Sequence, residues 1–307
     1  MRYYECTDME RIRRTEIPKD RKIKMILDTD TYNEIDDQFA IFYALASEDR
    51  IDLKGITAEL FFNARSVSPA DGMEKSYQEI KKILKLAGRE SDGFAFRGCT
   101  EPMQSKDQPG ESEAVDFIIR TALACTKEDP LFVVGIGSST NIASAIVKEP
   151  EIMDRIVVLW LGGNTHDWPD NEEFNLSQDP IAGSIVFDCG VPLIQLPASG
   201  VTSFLLTSMP ELEACLGGVN AIGDYLVENV AAYEEDHFAW SKAIWDIGAI
   251  GVLIDPEWTV QKICPSPVIA APNRYAFDPR RHLIRSVCTM DRDKVFRDLF
   301  TKIRNMQ

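Results

Sequence analysis

Five carboxylate side chains lie within ten residues of one another near the start of the chain, in the segment DTDTYNEIDD. They are Asp28, Asp30, Glu34, Asp36 and Asp37. So many negative charges in one loop repel one another strongly unless a cation or hydrogen-bond donors compensate them. One interpretation is a solvated acidic turn that caps a helix. The other, which we favour because apolar segments flank the loop, is a site for a hard cation such as Ca²⁺ or Mg²⁺ with oxygen ligands.

Zinc and disulfide chemistry are poorly supported by the remaining candidate ligands. The histidines His166, His237 and His282 are far apart, and no cysteine lies at ligand spacing from them. The seven cysteines are scattered without a Cys-x-x-Cys pair, which argues against a zinc ribbon or a disulfide framework. We therefore expect reduced thiols.

The elements around the acidic loop predict an α/β fold. An apolar strand at 23–27 precedes the loop and an apolar helix at 39–45 follows it. This alternation continues along the chain and predicts a mainly parallel sheet with helices on both faces. The further predicted strands are 53–58, 131–134, 156–161 and 191–196, and the further predicted helices are 74–86, 114–125, 141–147 and 181–187.

The last part of the chain reads as an elaboration of the same core. Its predicted elements are helices at 221–233 and 247–254, short strands around Val268 and at 284–287, and a closing helix at 294–303. No repeat or Pro/Gly/Ser-rich linker divides the sequence. We expect one domain over residues 1–307, with its core at about 22–303.

The charge balance excludes two classes of partner. The chain of 307 residues has 49 Asp and Glu against 33 Lys and Arg, a formal net charge of −16. A polyanionic nucleic acid or an anionic membrane surface would need the opposite charge. The sequence has no apolar run of about 20 residues and its polar start lacks a signal-peptide core, so we expect a cytoplasmic protein.

Ligands of open α/β sheets bind beyond the carboxyl ends of the strands, so the loops there are the places to search. These loops contain VGIGSSTNIA at 134–143, LWLGG at 159–163 and EFN at 173–175, while Trp245-Asp246 precedes a later helix. Each also has a plain structural interpretation. Asn141 could cap its helix, Glu173 and Asn175 could be exposed loop residues, and Trp245 could belong to the core.

Two enzyme families begin with a similar acidic motif. The haloacid-dehalogenase-type phosphatases use Asp-x-Asp-x-Thr, which Asp28-Thr29-Asp30-Thr31 resembles, with the first Asp as nucleophile. Their late acidic motif has a weak candidate in Gly223-Asp224, because no apolar strand precedes it. The similarity to this family stops there.

The order of motifs more closely resembles that of the nucleoside hydrolases. Asp-x-Asp with a following Asp-Asp, the STNIA turn, the Gly-Gly strand end, EFN with Asp179-Pro180, and Trp245-Asp246 all occur in the family's order. The resemblance runs from about Lys22 to the last helix. It implies the Rossmann-like nucleoside hydrolase fold and a small nucleoside substrate.

The resemblance also implies a set of site residues. Calcium would be held by Asp30, Asp37, the carbonyl oxygen of Ile136 and Asp246, with water and the ribose 2′- and 3′-hydroxyls completing its shell. Asp30 would act as general base for the attacking water. The ribose hydroxyls would be bound by Asp36, Glu173 and Asn175.

Several positions depart from the family pattern. The opening loop is longer and adds Asn33 and Glu34, either of which could reach substrate, while Asn63 is an approximate match to an asparagine after the second strand. Near the ribose 5′ end the candidates are Asn164 and Asp167. Trp245 replaces a histidine as the group that would assist the leaving base, and His237 is an alternative acid.

We therefore predict a calcium-dependent N-ribosyl hydrolase that gives ribose and a free base. One alternative is a catalytically silent protein of the same fold that binds calcium and sugar, and another is a phosphatase with Asp28 as nucleophile. The family resemblance further implies a homo-oligomer, either a dimer or a tetramer.

Overall fold

A central sheet of eight strands organises the chain in the computed structural model, which describes residues 3–270 and 274–306. The strands are β1 (Ile23–Thr29), β2 (Ile51–Ala58), β3 (Ala95–Phe96), β4 (Leu131–Gly135), β5 (Ile156–Leu161), β6 (Leu193–Leu196), β7 (Leu206–Thr207), β8 (Lys242–Ala243), β9 (Thr259–Pro265), β10 (Val268–Ala270), β11 (Arg274–Ala276) and β12 (Leu283–Met290). The helices are α1 (Asp8–Arg14), α2 (Asp37–Leu45), α3 (Pro69–Leu86), α4 (Glu113–Leu123), α5 (Thr140–Lys148), α6 (Phe174–Gln178), α7 (Pro180–Asp188), α8 (Met209–Leu216), α9 (Ala221–Tyr233), α10 (Ile247–Ile254) and α11 (Arg292–Asn305). Short 3₁₀ turns occupy Pro150–Asp154, Thr202–Phe204 and Pro256–Trp258.

The strand order of the main sheet is β3-β2-β1-β4-β5-β6-β12-β9. All neighbours are parallel except β12 and β9, which are antiparallel. Every residue of β4 and β5 is buried, as expected for strands that are covered on both faces. The prediction of a mainly parallel α/β sheet with helices is confirmed.

The last part of the chain adds two strands to the main sheet: the predicted strand at 284–287 lies within β12, whereas β9 was not predicted. β12 is eight residues long and pairs in parallel with β6, and β9 pairs with β12 to form the edge of the main sheet. β9 was not predicted, because the polar residues Gln261 and Lys262 interrupt its apolar pattern and the strand is only half-buried along its length. The strand predicted around Val268 is β10, which pairs only with β11 in a small ribbon.

Ordered structure also begins before the predicted core boundary near residue 22. Helix α1 is capped by Thr7, whose hydroxyl accepts a hydrogen bond from the Glu10 amide. The buried guanidinium of Arg11 donates to the carbonyl oxygen of Gly190 at 2.7 Å and to the carboxylate of Asp8 at 2.6 Å. These contacts tie the first helix to the turn that precedes β6.

The acidic loop lies at the carboxyl edge of the sheet, where strand β1 ends. β1 ends at Thr29 and α2 begins at Asp37, so the acidic segment spans the turn between them. α5 begins directly after β4, and α10 packs against α2. Within residues 3–270 and 274–306, no helix is both long and apolar enough to cross a membrane.

Candidate active site

A pocket of about 430 Å³ opens at the carboxyl edge of the sheet. Its walls come from the loops that follow β1, β2, β4, β5 and β6, together with the end of α9 and the start of α10. The lining residues are Asn33, Glu34, Asp36, Asn63, Ala64, Arg65, Ile136, Leu161, Asn164, Glu172, Glu173, Phe174, Asn175, Ala198, Ser199, Tyr233, Trp245 and Asp246.

Three buried carboxylates meet at the base of this pocket. Asp36, Asp37 and Asp246 each place an oxygen atom within 4.8 Å of the others. Asp36 and Asp246 occupy the N-cap positions of α2 and α10, but neither side chain hydrogen-bonds to its own helix. Their carboxylates are therefore available to one another and to a cation rather than consumed by capping.

Two buried carboxylate oxygens near this cluster have no hydrogen-bond partner among the described residues. Asp30 Oδ2 accepts a hydrogen bond from Asn33 Nδ2 at 2.7 Å, whereas its Oδ1 has no partner. Asp37 Oδ1 accepts from the Thr29 hydroxyl, and its Oδ2 has no partner. Since buried polar atoms are normally satisfied, these oxygens indicate a missing positively charged ligand.

Burial and repulsion between carboxylates raise the pKa of Asp30, Asp36, Asp37 and Asp246. For Asp30, burial and then the charge of Asp37 raise the pKa well above its usual value. For Asp37 and Asp246, burial and then the charge of Asp36 have the same effect. Burial raises the pKa of Asp36 to about 6, and the charge of Lys242 opposes that rise. A divalent cation would remove this repulsion.

The residues present fit a hard cation. All side-chain donors are carboxylate oxygens, which Ca²⁺ and Mg²⁺ prefer. The tight group contains Asp36, which we predicted as a ribose ligand, while Asp30 lies beside the group with one oxygen held by Asn33. The turn at Ile136 packs against Asp30. The Gly137 backbone is so close to this residue that a Cβ atom added at Gly137 would lie 3.0 Å from Asp30 Cγ.

The pocket wall that contains Glu173 and Asn175 carries amide and carboxylate groups that hydrogen-bond to backbone atoms of the protein. Glu173 accepts hydrogen bonds from the amides of Gly163, Asn175 and Leu176 at 2.8 to 2.9 Å, and burial raises its pKa. Asn175 Nδ2 donates to the carbonyl oxygens of Ile136 and Leu161. Both residues are buried at the pocket wall, so they are not ordinary exposed loop residues.

Asn164 belongs to the same wall, but two other predicted residues lie outside the pocket. Asp167 lines a separate cavity of about 230 Å³ with His166. His237 packs against Trp240, with ring centroids 5.6 Å apart, and is not part of the pocket lining. Trp245 does line the pocket, and its amide donates to Asp36 at 3.2 Å.

A second carboxyl pair, Asp28 and Glu59, lies fully buried below the pocket. Glu59 accepts from the Asn141 amide at 2.7 Å and from the Ser138 hydroxyl at 2.9 Å, while Asp28 accepts from Asn141 Nδ2 at 3.0 Å and from Thr57. Burial raises the pKa of Asp28 to about 6 and that of Glu59 well above its usual value. The pair therefore binds a proton more tightly than two exposed carboxyl groups would.

This burial bears on two of the sequence interpretations. Asp28 has no exposed surface and does not line the pocket, so it is not accessible as a phosphatase nucleophile. The Gly223-Asp224 segment lies within helix α9 rather than after a strand. The capping interpretation of Asn141 was wrong, because this residue lies within α5, whose N-cap is Ser139, and instead links Asp28, Glu59 and the amide of Cys99.

The sequence did not reveal the contacts that join Glu34, Lys242 and Tyr233 beside the pocket. The carboxylate of Glu34 forms an ion pair with Lys242 and accepts a hydrogen bond from the Tyr233 hydroxyl at 3.1 Å. Burial lowers the pKa of Lys242, but the charges of Asp36 and Glu34 outweigh it and give a net rise. Lys242 is 208 residues from Glu34 in sequence, so no local spacing could reveal this contact.

The fold and the site define a class of α/β protein with a polar pocket beside a buried carboxylate cluster at the carboxyl edge of its sheet. The model of the inosine-uridine preferring nucleoside hydrolase family matches residues 25–296, and the chain belongs to this family.

Individual relatives support the same assignment. A pyrimidine-specific ribonucleoside hydrolase of Escherichia coli is 28% identical over 56% of this chain and 59% of its own length, so the chain matches less than two thirds of that relative. A non-specific ribonucleoside hydrolase of Shigella dysenteriae is 26% identical over 79% of this chain and 83% of its own length. The solved purine-preferring ribonucleoside hydrolase from Gardnerella vaginalis shares the fold, with a TM-score of 0.74, 23% identity, and coverage of 92% of this chain and 98% of that one.

Proposed function

We propose that the protein is a calcium-dependent hydrolase that cleaves the N-glycosidic bond of a ribonucleoside and releases ribose and the free base. The observation that carries this proposal is the buried carboxylate cluster, with its two unpartnered oxygens, at the base of a pocket in a chain of this family. Asp30, Asp37, Asp246 and the carbonyl oxygen of Ile136 would hold the ion, and Asp36 lies close enough to contribute.

The bound ion would supply positive charge that lowers the pKa of the attacking water. Asp30 Oδ1 is the free oxygen that would accept a proton from that water, while Asn33 fixes the orientation of the carboxyl group. The surrounding carboxylates would stabilise the positive charge that develops on the sugar as the bond breaks.

The pocket walls suit recognition of a neutral polar sugar. Asp36, Glu173 and Asn175 would bind ribose hydroxyls, and Asn164 would lie toward the 5′ end. Asn33 and Asn63 would contact substrate from the opposite wall. Trp245 offers an aromatic face for the base but no ionisable proton. Asp167 and His237 lie outside the pocket lining, so we do not propose them as substrate contacts.

A panel of purine and pyrimidine ribonucleosides assayed for released reducing sugar tests this proposal. We expect release in the presence of calcium and its loss in excess chelator, with recovery when calcium is restored. Asp278→Asn is a suitable control because this exposed residue pairs with Arg280 outside the pocket. Release that is unaffected by complete metal removal would contradict calcium dependence.

The silent binding protein is the second candidate, and the position of His237 outside the pocket favours it. This candidate predicts that calcium and ribose bind, as measured by calorimetry, while no nucleoside releases sugar. The phosphatase alternative predicts phosphate release from phosphate esters, which we do not expect. A cytoplasmic homo-oligomer remains part of our proposal, and light scattering after gel filtration would determine its size.

A further inference from the structure

The pocket has two ends that are built by different parts of the sheet. Asn33, Asn63 and Arg65 follow β1 and β2, whereas Asn164 and Glu173 follow β5. In the sheet order, β2 and β5 are three strand intervals apart, which is about 14 Å at ~4.8 Å per interval. If ribose lies toward Asn164 and Glu173, the leaving base extends toward the β2 end.

Arg65 is the one cationic side chain among the described residues that line the pocket. The lining also contains five acidic residues. The Arg65 guanidinium makes cation–π contacts with two rings, with its Cζ atom 5.6 Å from the Tyr32 centroid and 5.4 Å from the Tyr233 centroid. Such contacts restrict a long side chain and leave its edge oriented before a ligand arrives.

Only part of the guanidinium is used by the fold. Nη1 donates to the carbonyl oxygens of Glu34 at 2.9 Å and Tyr32 at 3.3 Å. Tyr32 has a φ of 138°, which is unusual for a residue with a side chain and indicates a strained turn. The hydrogen bond from Arg65 to the Tyr32 carbonyl oxygen helps to hold this turn. Within the described residues Nε and Nη2 make no hydrogen bond, which leaves donors for a ligand.

We propose that Arg65 determines specificity for the leaving base by donating hydrogen bonds to the carbonyl oxygen at C4 of uracil or at C6 of hypoxanthine in the bound riboside. This inference rests on the proposed hydrolase function. It assigns to Arg65 the stabilisation of the departing base, a task for which the pocket lining offers no histidine.

The step balances without an additional reactant. The electron pair of the C1′–N bond leaves with the base, and its negative charge is shared with the carbonyl oxygen that faces Arg65. The water oxygen bonds to C1′ and its proton passes to Asp30, while the base anion takes a proton from solvent. Arg65 stays protonated throughout, because a guanidinium does not lose its proton in proteins.

A guanidinium also discriminates between bases. It carries only donors, so it pairs with a carbonyl oxygen at pyrimidine C4 or purine C6 but not with the exocyclic amino group that cytosine and adenine carry at that position. A site that hydrogen-bonds one functional group rejects the analogue that lacks it, because its own polar atoms are then left unpaired. Uridine and inosine should therefore be better substrates than cytidine and adenosine.

The test compares wild type, Arg65→Met and Arg65→Lys on these four nucleosides and on 4-nitrophenyl ribofuranoside, whose leaving group departs without assistance. We expect Arg65→Met to lower kcat/KM for uridine and inosine by about 10²-fold. The nitrophenyl substrate should change by no more than about threefold, and Arg65→Lys should restore only part of the loss. Arg89→Met is the matched control, because Arg89 stacks on Phe94 and pairs with Glu48 outside the pocket.

An equal loss on all five substrates would show that Arg65 only holds the loop and would overturn the inference. Unchanged preference for oxo bases in Arg65→Met would overturn it as well. Binding of free hypoxanthine and adenine, measured by calorimetry, separates this inference from the proposed function. Selective hypoxanthine binding that Arg65→Met abolishes, in a protein that hydrolyses no riboside, would support the Arg65 contact and reject the hydrolase.

Discussion

At the scale of single residues, the two oxygens of Asp30 lie in different environments. One is held by Asn33, and the other is buried beside the Asp36, Asp37 and Asp246 cluster without a hydrogen-bond partner in the part of the chain that the structure describes. A carboxyl group with one fixed and one free oxygen is suited to orienting a water molecule and accepting its proton.

Asp30→Asn should reduce kcat by at least about 10³-fold, because an amide does not accept the proton of the attacking water. We expect nucleoside binding to remain measurable by calorimetry, since the pocket wall at Glu173 and Asn175 is unchanged. Turnover close to wild type would remove the general-base assignment.

His282 provides a pH prediction away from the site. Burial, with the charges of Arg11 and Arg281, lowers its pKa to about 4, whereas an unfolded histidine has a pKa near 6.5. The unfolded chain therefore binds the proton first as the pH falls. Stability that is present above pH ~6.5 should decrease toward pH ~4, by an amount on the order of 3 kcal/mol.

Urea unfolding of wild type and His282→Gln between pH 7 and pH 4 measures this contribution. The difference in unfolding free energy between the two proteins should shift in favour of the variant as the pH falls. Parallel pH profiles for the two proteins would show that His282 does not titrate as the structure implies.

The sequence could predict residues that share a short segment or an ordered motif. The five carboxylates of the acidic loop and the Trp245-Asp246 pair directed attention to the positions that now line or underlie the pocket. Glu59, Arg65 and Lys242 were missed, because their partners lie on distant elements and each side chain alone is an ordinary charged residue.

At the scale of elements, Asp179 joins three segments by its hydrogen bonds. It caps α7 through the Ala182 amide, and it also accepts from the Met103 amide and the Thr140 hydroxyl at the start of α5, all at 2.8 to 2.9 Å. The residue is 1% exposed, so water cannot replace these contacts.

Asp179→Ala should destabilise the protein by roughly 3 kcal/mol, because the cap is lost and two further buried donors are left without a partner. Asp291→Ala is the matched control, since the exposed Asp291 caps α11 through the Lys294 amide and also forms a solvent-exposed ion pair with the Lys294 ammonium group at 3.4 Å. That control should cost about 1 kcal/mol. Equal urea midpoints for the two variants would contradict the role of the buried network.

Elements with a strong apolar pattern were the easiest to predict. The bounds of β5, α9 and α10 agree with the sequence, because each element is a continuous apolar run or a clearly periodic one. The short helix α6 and the edge strand β9 have neither property. The conformation of α6 depends on its cap Glu173, which is held by the amide of Gly163, and that of β9 depends on its pairing with β12.

At the scale of the whole molecule, the acidic cluster should make stability depend on calcium. Without the ion, its carboxylates destabilise the folded state by repulsion and burial. Calcium at a hundred times its Kd should raise the free energy of unfolding by about 2.7 kcal/mol, because it binds only the folded chain.

Thermal unfolding with calcium or chelator tests this coupling in wild type and Asp246→Asn. In chelator the variant should have the higher Tm, because one buried charge has been removed, whereas in calcium the wild type should be the more stable of the two. The order of the two proteins is thus expected to reverse. A calcium-independent order would argue against an ion at this cluster.

The division of the pocket into two ends has a consequence for evolutionary change. The wall at Asn164 and Glu173 comes from the segment after β5, and the wall at Arg65 comes from the segment after β2. A mutation or insertion in one of these loops leaves the other intact, with β1 and β4 between them in the sheet. The loop at residues 31–35 follows β1 and borders the Arg65 wall, because Arg65 donates to the carbonyl oxygens of Tyr32 and Glu34. Changes in the loops at this end could therefore give descendants of one ancestor new leaving-group preferences while they inherit the same sugar contacts.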